Sequence, residues 1–216
     1  PSEFEAGERL NKGKKLNMKD PEQARLHGTI NRWSGGGNDG AGVTYEMQQA
    51  VHNPGADTDG AHLMRVVGGA PANAPELHRG MNGTIHSEDL PSEGDVFALG
   101  PTSFTRSTKV RDEFARPESS SFGGATQVHM KLAKGSHSLR VDQEITGKFS
   151  NEQEHISMGR FKVTGRRERT VNVKANDGKM KSMNLIELDI TQVDESIPIT
   201  HHKGGKKPVI GPGMDI

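Results

Sequence analysis

The sequence contains no cysteine, which excludes disulfide frameworks, thiolate zinc sites and cysteine nucleophiles. Aromatic residues are scarce. One Trp, one Tyr and seven Phe leave few platforms for stacking single-stranded nucleic acid. Net charge is absent too: 28 Lys+Arg balance 28 Asp+Glu, so no large field drives binding to nucleic acid or an anionic membrane. No apolar run approaches the ~18 residues of a bilayer-spanning helix, and no charged-then-apolar start reads as a signal peptide. Only 31% of residues are hydrophobic and mean hydropathy is −0.73, so the core is expected to be thin and interrupted by loops. The 27 glycines and 11 prolines punctuate the chain more densely than average, yet less than in a fully disordered one. The 216 residues suit one domain, or one domain with a helical extension.

What is present divides into two halves. The first 70 residues read as short helices separated by glycine. Asp20-Pro21 is an N-cap followed by proline at the first helical position; Leu26, Ile30 and Trp33 follow at helical spacing, and Gly35 to Gly37 end the segment. A second helix runs from about Thr44 to Asn53-Pro54, and a third carries Leu63, Met64, Val66 and Val67 into Gly68-Gly69. From Glu76 the pattern turns to strands, over Leu77–Gly80, Val96–Leu99, Ser138–Val141, Glu154–Ser157, Phe161–Thr164, Thr170–Lys174 and Met183–Ile190. The clearest alternates Val128, Met130 and Leu132 against Gln127, His129 and Lys131. One helix, Thr108 to Ala115, interrupts them. Residues 1–18 and 193–216 read as flexible ends around a domain over 19–192, helical at 19–70 and a mostly antiparallel β core at 75–192. The class is α+β.

Several side chains carry chemistry, each weakly when taken alone. Arg79, at a strand end, offers a planar fork for phosphate or carboxylate; a surface arginine is the plainer reading. In Ser103-Phe104-Thr105, alternation puts both hydroxyls on one face and Phe104 into the core. Glu152 and Glu154 flank Gln153; in extended chain they point the same way, ~6.5–7 Å apart, and two carboxylates so placed serve one substrate in different roles. Glu3-Phe4-Glu5 matches that pattern equally well in a terminus expected to fray. The ten histidines show no His-Glu-x-x-His helix; His201-His202 read as a chance pair in a tail with Lys203, Lys206 and Lys207. Arg166, Arg167 and Arg169, with Glu168 among them, read as a solvated turn.

Their order changes the weight of these signals. Arginine on one strand, Ser-x-Thr on a second and then Glu-x-Glu resembles the pattern of the arginine-type mono-ADP-ribosyltransferases, bacterial toxin and bacteriophage members included. Glu76-Leu77-His78-Arg79-Gly80 resembles the family's apolar-aromatic-Arg-Gly strand. Thr102 to Thr105 resembles its Ser-Thr-Ser strand, with Phe104 at the middle hydroxyl. The run Glu152 to Val163 is similar to its Glu-x-Glu segment, and Ile30 to Gly35 to its aromatic-Thr-Gly helix end. The likeness covers about residues 20–175, with His78 standing where an aromatic is usual.

That resemblance implies two packed, roughly perpendicular β-sheets, a helical N-terminal layer and a cleft holding NAD⁺ as substrate, with no metal. It implies catalytic roles for Glu154, Glu152, Ser103 and Arg79, and NAD⁺ contacts from Arg79, Gly80, Ser103, Thr105 and Glu154. Phe149, within Gly147-Lys148-Phe149-Ser150, and Glu152 would face the target. Because Glu stands at 152, where members acting on nucleobases or asparagine carry Gln, the implied acceptor is an arginine of a target protein. Further partners would be an inhibitory protein, a larger parent polypeptide or a virion; neither a membrane nor a specific nucleic acid is implied. Delivery into a host or target cell, as a secreted effector or phage-borne enzyme, fits the family. A glycohydrolase using water as acceptor, and a non-catalytic virion protein keeping the fold, are the rivals.

Overall fold

The computed structural model describes residues 2–35 and 37–202. Its helical half starts earlier than expected. Residues 1–18, expected to be flexible, contain helix α1 (Ser2–Asn11), because Ala6 and Leu10 lie one turn apart on a single face and are buried. Helix α2 (Pro21–Gly35) begins where the proline places it, and Asp20 Oδ1 accepts from Glu22 N at 3.0 Å. Helix α3 (Gly37–His52) begins well ahead of Thr44. Its glycines lower propensity, but burial of Val43, Met47 and Ala50 holds the helix in place. Helix α4 (Asp59–Gly68) is capped by Thr58, whose hydroxyl accepts from Ala61 N at 3.2 Å. Leu26, Ile30, Met47, Leu63 and Val66 from these helices pack with Leu139, Val141 and Ile156 from the β half.

The β half comprises β1 (Leu77–Gly83), β2 (Val96–Thr105), helix α5 (Thr108–Ala115), β3 (Thr126–Leu132), β4 (Ser138–Arg140), β5 (Glu154–Lys174) and β6 (Met180–Val193). The α+β class with a helical layer is as expected. The strands run in the order β2-β1-β3-β6-β5-β4, and β5 also pairs with β2. The two expected sheets are therefore portions of one hydrogen-bonded sheet that closes on itself through β5. Among the described residues, every strand pairing is antiparallel except β3 with β6.

Strand β5 merges three expected strands. Residues 154–162 pair with β2, residues 160–174 pair with β6, and the register shifts between Val163 and Gly165. The arginines expected in a solvated turn lie within it. Arg166 donates to Leu90 O and Pro91 O, both at 3.0 Å, and Arg167 donates to Asp189 Oδ2 at 2.9 Å across the ladder. Cross-strand charge pairing thus replaces apolar alternation in this stretch.

Two cores meet on this strand. Phe161 and Val163 pack with Phe97, Phe104, Val128, Met130, Ile186 and Leu188, whereas Ile156 packs with the helices. The first residues of β5 therefore sit at the seam between the helical layer and the sheet. The segment after Val193, expected to be a flexible tail, returns to β2, where Thr200 N and His201 N donate to Val96 O at 2.8 and 3.0 Å. Pro1, Gly36 and the tail lysines Lys203, Lys206 and Lys207 lie outside the described residues.

Candidate active site

At that seam, the end of α2, the middle of β1, the end of β2 and the start of β5 enclose a cleft of about 350 Å³. Arg79, Gly80, Ser103, Thr105, Phe149, Glu152 and Glu154 all line it, together with Trp33, Ser34, His78, Phe104 and Phe114. Stretches far apart in sequence therefore meet in one place.

Glu154 is the first residue of β5 and only 4% exposed. Ser103 Oγ donates to its Oε1, and Trp33 Nε1 donates to the same oxygen at 3.0 Å. Burial pushes the Glu154 carboxyl above the usual glutamate range, against the opposing pull of Ser103, Trp33 and the Arg79 charge. Arg79 is the third residue of β1 rather than a strand end, and its Nη1 donates to Ser103 O at 3.0 Å. Arginine and serine are thereby held as one unit beside the carboxylate.

Glu152 differs from expectation in its backbone. Gln153 has φ +52°, a left-handed conformation that costs a non-glycine residue of order 1–3 kcal/mol. The two glutamates therefore do not share the face of one extended strand: Glu152 sits in the preceding turn, and the chain swings at Gln153 into β5. Thr105 Oγ1 donates to Glu152 O at 2.7 Å and Arg106 N donates to Gln153 O at 3.3 Å, which fastens the turn. Thr105 is buried, and its hydroxyl also accepts from Ser107 N at 3.0 Å. Burial raises the Glu152 carboxyl, the charges of Glu154 and Glu113 raise it further, and Lys148 opposes them.

Gly80 has a packing role. A Cβ there would lie 2.1 Å from Arg111 O and 3.1 Å from Ala115 Cβ, so α5 approaches β1 as closely as it does because residue 80 has no side chain. Phe104 is buried in the strand core, as alternation requires.

No family model matches the chain, and no curated protein matches it in sequence. Solved structures do match in shape. The ADP-ribosyltransferase Vis, a toxin of Vibrio splendidus, in complex with agmatine aligns with a TM-score of 0.54 at 14% identity, over 97% of this chain and 91% of its own. The enzymatic component C2-I of the Clostridium botulinum C2 toxin aligns at 0.51 and 13% identity, over 91% of this chain and 47% of its own.

The fold is that of the ADP-ribosyltransferases.

Within this ADP-ribosyltransferase fold, sequence reasoning missed two aromatic walls of the cleft. Trp33, the sole tryptophan, follows Leu26 and Ile30 at helical spacing and so reads as a packing position, yet its Nε1 reaches Glu154 across 121 residues of sequence. Phe114, on α5 and largely exposed, lines the other side. A phenylalanine among the charged residues of a short helix was the available signal for the second.

Proposed function

We propose that this chain is a mono-ADP-ribosyltransferase that moves ADP-ribose from NAD⁺ to an arginine side chain of a target protein and releases nicotinamide. The observation that carries the reading is the convergence on one cleft of Arg79, Ser103, Glu152 and a buried Glu154 that holds two hydrogen bonds on one oxygen.

The residues present suit the substrate. A guanidinium at Arg79 complements the diphosphate, and the rings of Trp33, Phe114 and Phe149 offer apolar walls for a nicotinamide ring. With Oε1 engaged by Ser103 and Trp33, Oε2 of Glu154 is assigned to a ribose hydroxyl. That contact strengthens as positive charge develops at the ribose. The C1′–nitrogen bond breaks with its electron pair going to nicotinamide, which leaves neutral. A guanidine nitrogen of the acceptor bonds to C1′, and its proton goes to Glu152. Arginine is cationic at every ordinary pH, so this step needs a base, and a carboxyl raised towards neutrality is a better base than an ordinary one. Gly80 supports the cleft by letting α5 close on β1, and Thr105 does so by holding the Glu152 turn.

The arginine acceptor is supported by glutamate at 152 and by the guanidinium compound agmatine in the complex of the similarly folded Vis. Such an enzyme acts after delivery into a target cell, as a toxin, effector or phage-borne protein, on a protein with an accessible arginine. Incubation with labelled NAD⁺ and agmatine tests the reading. Labelled ADP-ribosyl-agmatine is the expected product. Nicotinamide release with no labelled acceptor would point to hydrolysis, and no release at all would overturn the enzyme reading.

A further inference from the structure

The segment that brings Phe149 and Glu152 to the cleft runs from Thr146 to Gln153. Its exit is held by Thr105 and Arg106. Its entry is held from α2 by two side chains: His27 Nδ1 lies 2.7 Å from Glu144 Oε2, whose Oε1 also accepts from Leu16 N at 2.7 Å, and Asn31 holds the backbone on either side of Ile145. Asn31 Oδ1 accepts from Thr146 N at 2.8 Å and from Thr146 Oγ1 at 3.0 Å. Asn31 Nδ2 donates to Glu144 O at 2.7 Å and to His27 O at 3.0 Å. Two acceptor and two donor positions exhaust what an amide side chain offers. Asn31 therefore ties both peptide units leading into the segment to the helix, and anchors itself to that helix through His27.

The next residue after this anchorage is Gly147, with φ +78°, a conformation that glycine adopts freely. The chain pivots there, and beyond the pivot lie turn bonds from Ser150 N to Gly147 O and from Glu152 N to Phe149 O, both 3.2 Å. The same helix carries Trp33 to Glu154. Helix α2 thus fixes the ribose carboxylate with one residue and the entrance of the acceptor-facing segment with another, two positions apart.

We propose that Asn31 is a positioning residue for the acceptor: by clamping residues 144–146 it holds Glu152 and Phe149 where an incoming guanidinium meets them, and so sets the ratio of transfer to hydrolysis without touching NAD⁺. This rests on the transferase reading above. Loss of the clamp leaves Trp33, Ser103 and Glu154 in place, so the hydrolytic half of the chemistry survives while the acceptor half loses its geometry.

The test is Asn31→Ala in the whole chain, read in three ways. Amide hydrogen exchange over residues 146–152 is expected to quicken by about tenfold or more, with the β5–β6 ladder unchanged. Transfer to agmatine is expected to fall about tenfold with a higher acceptor KM, and nicotinamide release without acceptor to stay within about twofold. The emission of Trp33 should not move, which shows that α2 has kept its place. Thr146→Val, which removes only the hydroxyl arm of the contact, should give the same direction at smaller size and serves if Asn31→Ala fails to fold. Unchanged exchange, or transfer and hydrolysis falling in proportion, would overturn the clamp. A wild type with no NAD⁺-dependent activity overturns the transferase reading instead, and is told apart because the exchange measurement needs no turnover.

Discussion

Replacing Trp33 by Phe keeps an aromatic wall on the cleft and removes one N–H. That N–H group's nitrogen lies 3.0 Å from Glu154 Oε1, and hydrogen bonds to charged groups are worth about 1.5–3 kcal/mol. Because Ser103 still donates to the same oxygen, the lower end applies, and about 1.4 kcal/mol corresponds to a tenfold loss in rate. The loss depends on pH, and its sign follows from the Glu154 carboxyl. Burial holds that carboxyl above the usual range, and the ionised form is the one that stabilises positive charge. Activity therefore declines as pH falls through the raised value. Removing a donor that favours the ionised form raises it further, so the acid limb of the kcat/KM profile moves to higher pH. At high pH, with Glu154 ionised in both proteins, the gap between them narrows. Nicotinamide release measured across pH for wild type and Trp33→Phe, with a melting curve to confirm the fold, gives the answer. An acid limb at the same pH in both proteins would refute the reasoning and remove Trp33 from the site.

Other variants test separate parts of the cleft. Arg79→Lys keeps the charge but loses the planar fork, so KM for NAD⁺ should rise with the fold preserved; an unchanged KM would take Arg79 out of the substrate site. Ser103→Ala should lower nicotinamide release more than Thr105→Ala does, since Ser103 bonds the carboxylate and Thr105 bonds the Glu152 backbone; the reverse order would exchange their assignments. Gly80→Ala should destabilise the protein by about 1–3 kcal/mol, as overpacking does, because the new Cβ meets Arg111 O; an unchanged melting temperature would mean that α5 shifts at no cost.

The site was legible to the extent that its chemistry lies in short, ordered motifs. Arg79, Ser103, Glu152 and Glu154 fall in separate stretches, yet their order along the chain was enough to group them. Helix α5, expected over Thr108 to Ala115, lies there, and the structure adds its cap: Ser107 Oγ accepts from Val110 N. Features set by tertiary contact were not legible. Helix α1 buries only two apolar side chains, Ala6 and Leu10, among charged neighbours, too few for a periodic signal. Thr170–Lys174 was legible as strand, but the stretch before it, Arg166-Arg167-Glu168-Arg169, was not, because its strand character comes from partners on β6 that no local window contains. Gln153 is neither Gly nor Asn, so nothing in its identity marks a left-handed turn; that conformation is imposed by Thr105 and Arg106 from β2 and the turn after it. The contact between Trp33 and Glu154 closes only when the helical layer packs on the sheet.

If Glu154 acts on the ribose and Glu152 on the acceptor, nicotinamide release with and without agmatine in Glu154→Gln and Glu152→Gln separates the two roles most directly. Glu154→Gln should lose transfer and hydrolysis together, by roughly 10²–10³-fold, as for removal of one preorganised electrostatic stabiliser. Glu152→Gln should lose transfer to agmatine while keeping most of the slow release of nicotinamide in its absence. Equal loss of both activities in Glu152→Gln would contradict the division of roles and, with it, the assignment of arginine as the acceptor.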